Sequence, residues 1–365
     1  MRVLVVNAGS SSLKLRTLAA DDTLAAGRDL PAPRGLVEES AVVAAVREMG
    51  PVDAVGHRIV HGGSEFSGPV LIRDDVEERL AALTDLAPLH QPKSLAALRA
   101  VTAALPRVPA VACFDTAFHV SLPEAAATYA LPLEWRKRWN LRRFGFHGLS
   151  HAYAARRAAE LTGRPADRLR AVTCHLGAGA SLAAVHGGRS VDTTMGFTPL
   201  EGLVMATRSG SVDPGLVLWL EEHVGTPPAE LAATLEHRSG LLGLADTADM
   251  REVLSRRRAG DPAARLALDV YLHRLRAGIA SMAAAMDGLD ALVFTGGVGE
   301  HAPEVRAGAA AGLGFLGVAL DPGRNAATSR DGEITAAGAR VRTLVIEARE
   351  DLEIAHQVRV TLGST

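Results

Sequence analysis

Cysteine is almost missing from this sequence: Cys113 and Cys174 are the only two in 365 residues. Two cysteines build no disulfide framework, and without a CxxC pair they suggest no structural zinc. Lysine is scarce as well. Only three of the 39 basic residues are lysines, Lys14, Lys93 and Lys137. A single surface arginine therefore carries little information here, whereas Lys14 stands out. Neither sign of charge prevails, with 39 basic against 41 acidic residues and a net charge of −2. A chain that coats nucleic acid or an anionic membrane shows a basic excess, so neither partner is expected. There is no GxxxxGK[ST] and no HExxH, which removes P-loop nucleotide binding and zincin chemistry. The one GxGxxG, at Gly312, Gly314 and Gly317, follows an Ala/Gly stretch instead of a strand and reads as a chance turn. Long apolar runs are also lacking. Val3–Val6 is too short for a signal-peptide core, and the charge-free window Ala171–Gly188 is broken by His175, His186 and glycines. A cytoplasmic location is the expectation that remains.

What is present is an ordinary globular mixture, 48% apolar and 22% charged, long enough for two domains. Val3–Val6 reads as a strand, Asn7–Ser12 as a small-residue turn, and the alternation Leu13-Lys14-Leu15-Arg16 as a returning strand. The second half opens in the same way, with an apolar strand Ala171–Cys174, a turn over His175–Ser181 and a strand Leu182–Val185. The recurrence suggests an internal duplication. Helical spacing covers Glu77–Ala87, Ser94–Leu105 with Ser94 as N-cap, and Ser150–Leu161 closed by Gly163. A longer helix carries Leu268, Leu272, Leu275, Ile279, Met282 and Met286 along one face. Strands are expected at Val108–Phe114, Ala291–Thr295 and Leu344–Ile346. Strands alternating with helices, and no Pro/Ser-rich linker, give an α/β class.

Several segments carry chemistry beyond packing. Small residues at Asn7–Ser12 and Gly177–Ser181 expose backbone N–H groups and hydroxyls to which a phosphate can come close. Either alone is equally an ordinary hairpin. Arg58 ends an apolar strand between His57 and His61, where a salt-bridged arginine with structural histidines is the plain alternative. Asp115 follows a strand, the end at which α/β folds place ligands, though an aspartate there also caps helices. His147 and His151 lie four apart, a spacing that helix-start and packing roles explain. Arg208 stands among small residues and is free to reach an anion. Gly296–Glu300 reads as a glycine loop from strand to helix, and Glu350 and Asp351 as acids in a helix's first turn.

In order along nearly the whole chain, the segments VNAGSSSLK at 6–14, GHRIVHGG at 56–63, FDTAFH at 114–119, RRFGFHGLSH at 142–151, HLGAGASL at 175–182, MGFTPLEGL at 195–203, FTGGVGEH at 294–301 and EAREDLEIA at 347–355 resemble the acetate/propionate kinase family. The resemblance implies an α/β fold of the duplicated ribonuclease-H-like kind shared by sugar kinases, actin and Hsp70, with two lobes about a central cleft. It implies a discontinuous first lobe of residues 1–116 plus 352–365, which takes the acyl substrate. The second lobe, 117–351, would bind nucleotide and form a homodimer.

The same resemblance implies reversible phosphoryl transfer from ATP to acetate, giving acetyl phosphate and ADP, with Mg²⁺ or Mn²⁺. Asn7 and Glu350 would place the metal. Arg58, Asp115, His147 and Arg208 would be the catalytic set, with His147 and Arg208 stabilising the transferring phosphoryl group. Arg58, Val60, Leu89, Phe146 and Pro199 would hold acetate. Lys14, His175, Gly177, Ala178, Gly179 and Ala180 would meet the nucleotide, together with Asp249, Met250, Arg251, Gly297, Val298, Gly299 and Glu300. A carboxylate nucleophile is already ionised at neutral pH, so the transfer needs no general base. Propionate or butyrate preference is the nearest alternative, and an ATP-responsive binding module the more distant one. The chain departs from the family pattern at Ala178, where asparagine is usual, and at Gln91, Ala206, Gly296 and His301. These changes bear on the phosphate donor.

Overall fold

The opening apolar run forms β1 (Val3–Ala8), which pairs antiparallel with β2 (Ser12–Leu18) in the register Asn7↔Lys14. The computed structural model describes residues 1–9, 12–32, 38–87, 91–328 and 330–363. These divide into two units. The first comprises Met1–Val120, Phe146–Tyr153 and Arg349–Thr365, and the second Ser121–Gly145 and Ala154–Ala348.

The first unit adds β3 (Leu24–Pro31), β4 (Ala54–Ile59), β5 (Val70–Leu71) and β6 (Ala110–Phe114), in the order β3-β2-β1-β4-β6-β5. Neighbours β1, β4 and β6 run parallel, and the outer strands antiparallel. The second unit has β7 (Arg170–Leu176), β8 (Ala180–His186), β9 (Arg189–Thr193), β10 (Ala291–Thr295), β11 (Gly332–Glu333) and β12 (Arg342–Val345). Its order, β9-β8-β7-β10-β12-β11, repeats that of the first strand for strand. The directions match too, with β7, β10 and β12 parallel and the remaining pairs antiparallel. The duplication suggested by the two opening hairpins is therefore a repeat of the whole sheet.

Several sequence expectations need correction. The helix read over 77–87 runs Asp74–Ala82, with a separate short turn at Thr84–Leu86. Asp75 pairs with Arg79 one turn on, and the Thr84 hydroxyl donates to Ala81 O, which ends the helix early. Ser94 is no N-cap but lies inside the helix Gln91–Ala104, because Pro92 is tolerated in a first turn. The Gly296–Glu300 loop is itself helical, over Gly296–His301, and begins directly after β10. The expected lobe borders also differ from those of the units. Phe146–Tyr153 lies with the first unit, where Leu149 packs among Val3, Val5, Val111 and Ile354. No helix among the described residues is long and apolar enough to cross a membrane.

Candidate active site

In the first unit, three parallel strands bring polar side chains to one edge of the sheet. Asn7 lies near the end of β1, Arg58 near the end of β4, and Asp115 directly after β6. The fourth member is Glu350, the first residue of the helix Glu350–Thr361. That helix lies close against β4 because residue 56 is glycine; a Cβ there would stand 2.5 Å from Ile354 Cγ2 and 2.8 Å from Val358 Cγ2.

Arg58 joins the other three. Its Nε donates to both Asp115 carboxylate oxygens at 3.1 Å, and its Nη2 donates to Asp115 Oδ2 at 2.6 Å. Its Nη1 donates to Asn7 Oδ1 at 3.1 Å and lies 3.3 Å from Glu350 Oε2. Asn7 Nδ2 in turn donates to Glu350 Oε2 at 2.9 Å. The salt-bridged arginine and the strand end expected to carry a ligand are thus the same place. Asp115 is not a helix cap, since its carboxylate is committed to Arg58. Burial, with a contribution from the Glu350 charge, lifts Asp115 to about 6 against the pull of Arg58. Burial opposes the Arg58 charge, but Asp115 and Glu350 outweigh it and hold the proton more firmly than water would.

His147 is set beside this group by its backbone. It has φ +56°, the left-handed region, and the next amide, Gly148 N–H, donates to Asp115 O at 2.9 Å. A Cβ on residue 148 would come within 2.1 Å of that oxygen. Phe146 is buried, edge-on to His61 at 5.4 Å, and its carbonyl accepts from His119 Nε2 at 3.0 Å. His119 is held neutral by burial, near 4, so Nε2 carries the proton of that bond. Val60 is also buried in this unit. Lys14 is exposed and shares a face with Asn7, its cross-strand partner. Leu89, and Ser10–Ser11 of the first hairpin, lie outside the described residues.

In the second unit, a cavity of about 530 Å³ is lined by Gly177, Ala178, Asp249, Met250, Arg251, Gly297 and Val298. Seven of the residues expected to meet nucleotide therefore surround one space, of a size usual for small-molecule sites. Gly177 N–H donates to Gly179 O at 2.9 Å, closing the β7–β8 turn next to the ends marked by His175 and Ala180. Asp249 caps the helix Met250–Arg258 through Arg251 N–H at 2.9 Å, and also pairs with the Arg251 guanidinium at 2.5 Å. Gly299 and Glu300 are not part of the lining. The Glu300 carboxylate accepts from Ala348 N–H at 3.0 Å instead.

Arg208 has a different environment from Arg58. Its Nη1 donates to Pro199 O at 3.2 Å and approaches Met205 Sδ at 3.9 Å, and no carboxylate among the described residues lies at ion-pair distance. Burial weakens its hold on its proton. A half-buried guanidinium without an anion is suited to receive one.

Ala206 and His301, singled out in the sequence as departures from the family pattern, also line the cavity, whereas Leu241, Leu254, Tyr271 and Ala302 were missed because no local motif marks them. Sequence reasoning also missed Arg306, which is fully buried and donates to Gly299 O at 2.9 Å and Glu300 O at 2.7 Å. Its other donors reach Asn325 Oδ1 and O, so that it holds the far end of the cavity-lining helix. In an arginine-rich chain nothing local distinguishes it.

The Acetokinase family model matches residues 37–356. An acetate kinase of Leifsonia xyli subsp. xyli is 47% identical over 386 aligned residues, 97% of each chain. The crystal structure of Porphyromonas gingivalis acetate kinase superposes with a TM-score of 0.91 at 34% identity, covering 99% of both chains. A propionate kinase from Francisella tularensis superposes at 0.89, also 34% identical, over 98% of this chain and 99% of that one. By its sequence over most of its length, and by the fold that carries it, the chain belongs to the acetokinase family.

Proposed function

We infer that this chain transfers the terminal phosphoryl group of ATP to acetate, and we propose how its residues do so. The observation that carries the reading is the junction of Asn7, Arg58, Asp115 and Glu350, two carboxylates and an amide around one guanidinium. The Asn7 amide oxygen and the Glu350 carboxylate are hard oxygen donors. They fit Mg²⁺, which takes one or two protein oxygens and completes its shell with water and substrate phosphates. Mn²⁺ accepts the same donors. When bound, the ion neutralises charge on the phosphates.

The residues do the rest by position and charge. Asp115 holds the Arg58 fork in one orientation, so the guanidinium meets the acetate carboxylate without first having to be ordered. Arg208, lacking an anion of its own, meets the negative charge of the transferring phosphoryl group, and His147 donates a hydrogen bond to that group. Val60 and Phe146, both buried in the first unit, receive the methyl group. The cavity lined by Gly177, Asp249, Arg251 and Gly297 receives the nucleoside, and Lys14 offers a charge to its phosphates.

The Francisella neighbour favours propionate as a second, poorer substrate. One methylene in an apolar pocket changes kcat/KM by about 10–200-fold, and comparison of acetate, propionate and butyrate measures it. Exposed Leu216, Leu218, Trp219 and Val224 support a homodimer covering that face, which sedimentation analysis would test. Both cysteines are buried free thiols, as suits a cytoplasmic enzyme. The metal assignment is tested by Glu350→Gln. We expect the Mg²⁺ requirement to rise roughly tenfold or more, with KM for ATP at saturating Mg²⁺ little changed. An unchanged Mg²⁺ dependence refutes it.

A further inference from the structure

The Arg208 guanidinium donates to one carbonyl, Pro199 O, beside a longer contact to Met205 Sδ, and that carbonyl belongs to a loop with its own brace. We propose that Tyr129, Arg143 and Glu201 form this brace and act as positioning residues for Arg208. The proposal rests on the role given above to Arg208 and deepens it.

The loop Thr194–Glu201 is held at three points. Arg143 Nη1 donates to Thr194 O at 3.2 Å and to Met195 O at 3.1 Å, while its Nη2 donates to Glu201 Oε1 at 2.8 Å. The Tyr129 hydroxyl donates to the other oxygen, Glu201 Oε2, at 2.7 Å and accepts from Phe197 N–H at 2.8 Å. The Glu201 carboxylate thus lies directly against Gly196, where a Cβ would stand 1.8 Å from Oε2 and 2.2 Å from the tyrosine oxygen. The Tyr129 oxygen, both Glu201 carboxylate oxygens and both terminal Arg143 nitrogens therefore have partners, each on the loop or on another brace residue. Such a network narrows the arrangements open to the loop.

Pro199 lies between the braced Phe197 and Glu201. Its carbonyl accepts from Arg208 Nη1 at 3.2 Å, and no ion pair among the described residues competes for that guanidinium. The backbone on the Arg208 side is fixed independently. Ala206 N–H donates to Ala178 O at 3.1 Å, Ser209 N–H to Leu235 O at 2.9 Å, and Ser211 N–H to Gly202 O at 3.0 Å. What remains adjustable is the side chain, and the Pro199 carbonyl sets it. Binding ATP does not need that setting, but a guanidinium that must meet charge developing in transfer does. The brace therefore acts on kcat.

Four proteins test this: the parent, Tyr129→Phe, Arg208→Lys and the double variant. Tyr129→Phe removes both the donor to Glu201 and the acceptor for Phe197 N–H while keeping the ring. We expect it to lower kcat roughly tenfold and to change KM for ATP less than about twofold. The double variant should be no slower than Arg208→Lys within about twofold, because the brace then has nothing left to position. Should Tyr129→Phe fail to fold, Glu201→Gln is put through the same cycle; it keeps an acceptor for Tyr129 but discharges the Arg143 pair. Factors that multiply in the double variant overturn the proposal, as does an unchanged kcat in the folded single variant. If Arg208→Lys itself leaves kcat intact, the assigned role of Arg208 fails and the brace fails with it. If kcat falls but the factors multiply, the brace alone fails.

Discussion

His57 offers a quantitative test of how the first unit is packed. It lies on β4 between Val6 of β1 and Ala112 of β6, is 1% exposed, and its Nε2 has no partner among the described residues. Burial pushes it down to about 3 from an ordinary value of 6.5, so the folded ring is neutral throughout the working range. In the unfolded chain the ring takes up a proton below pH 6.5. Stability from this depressed value is fully present above pH 6.5 and is lost as pH falls towards the folded value. At pH 5 the unfolded ring is 1.5 pH units below 6.5, worth about 2 kcal/mol at 1.36 kcal/mol per unit. His119, at about 4, adds a similar loss. The parent should therefore lose about 4 kcal/mol between pH 7 and pH 5 from these two rings. His57→Leu removes one share and the unpartnered nitrogen together. Urea titrations at both pH values should show the variant about as stable as the parent at pH 7, with a pH-dependent loss about 2 kcal/mol smaller. Equal losses in the two proteins would mean that the folded ring titrates normally, and would refute the reasoning.

Other predictions concern the site itself. Gly148→Ala forces a Cβ to within 2.1 Å of Asp115 O; we expect about 1–3 kcal/mol of destabilisation and a fall in kcat, read by thermal melting and steady-state kinetics. A stable, fully active variant would show that the Asp115–Gly148 contact positions nothing. Ala178→Asn places an amide at the nucleotide cavity and should lower KM for ATP roughly tenfold, the value of one hydrogen bond to a charged group; an unchanged KM would show that this departure from the family is neutral. Arg306→Met leaves the Gly299 and Glu300 carbonyls unpartnered. It should cost about 2–4 kcal/mol and raise KM for ATP several-fold, with KM for acetate unchanged. Equal effects on both substrates would contradict a local role.

The parts of this molecule that could be read from its sequence are those written in local chemistry. The strand–turn–strand openings at Val3 and Ala171 needed only apolar runs and small residues, and they marked the start of each repeated sheet. Asp115 at a strand end and the glycines at 177 and 297 were legible for the same reason. The assembly of Asn7 with Glu350 was not, because 343 residues separate them and only the strand order, with glycine at 56, brings them together. The family resemblance supplied that pairing. Arg306, Tyr129 and Glu201 stayed hidden, since their partners are backbone groups and side chains distant in the sequence, which no local pattern announces. Ser94 and the glycines at 296–300 were misread because a capping residue or a glycine run has the same local signal inside a helix as at its end.

Acetyl phosphate formation, trapped as the hydroxamate and counted against ADP, tests the central claim most directly. With acetate, ATP and Mg²⁺ the account predicts one acyl phosphate per ADP, and loss of both when the metal is chelated. ADP formed without acyl phosphate, or turnover indifferent to a divalent cation, would contradict it.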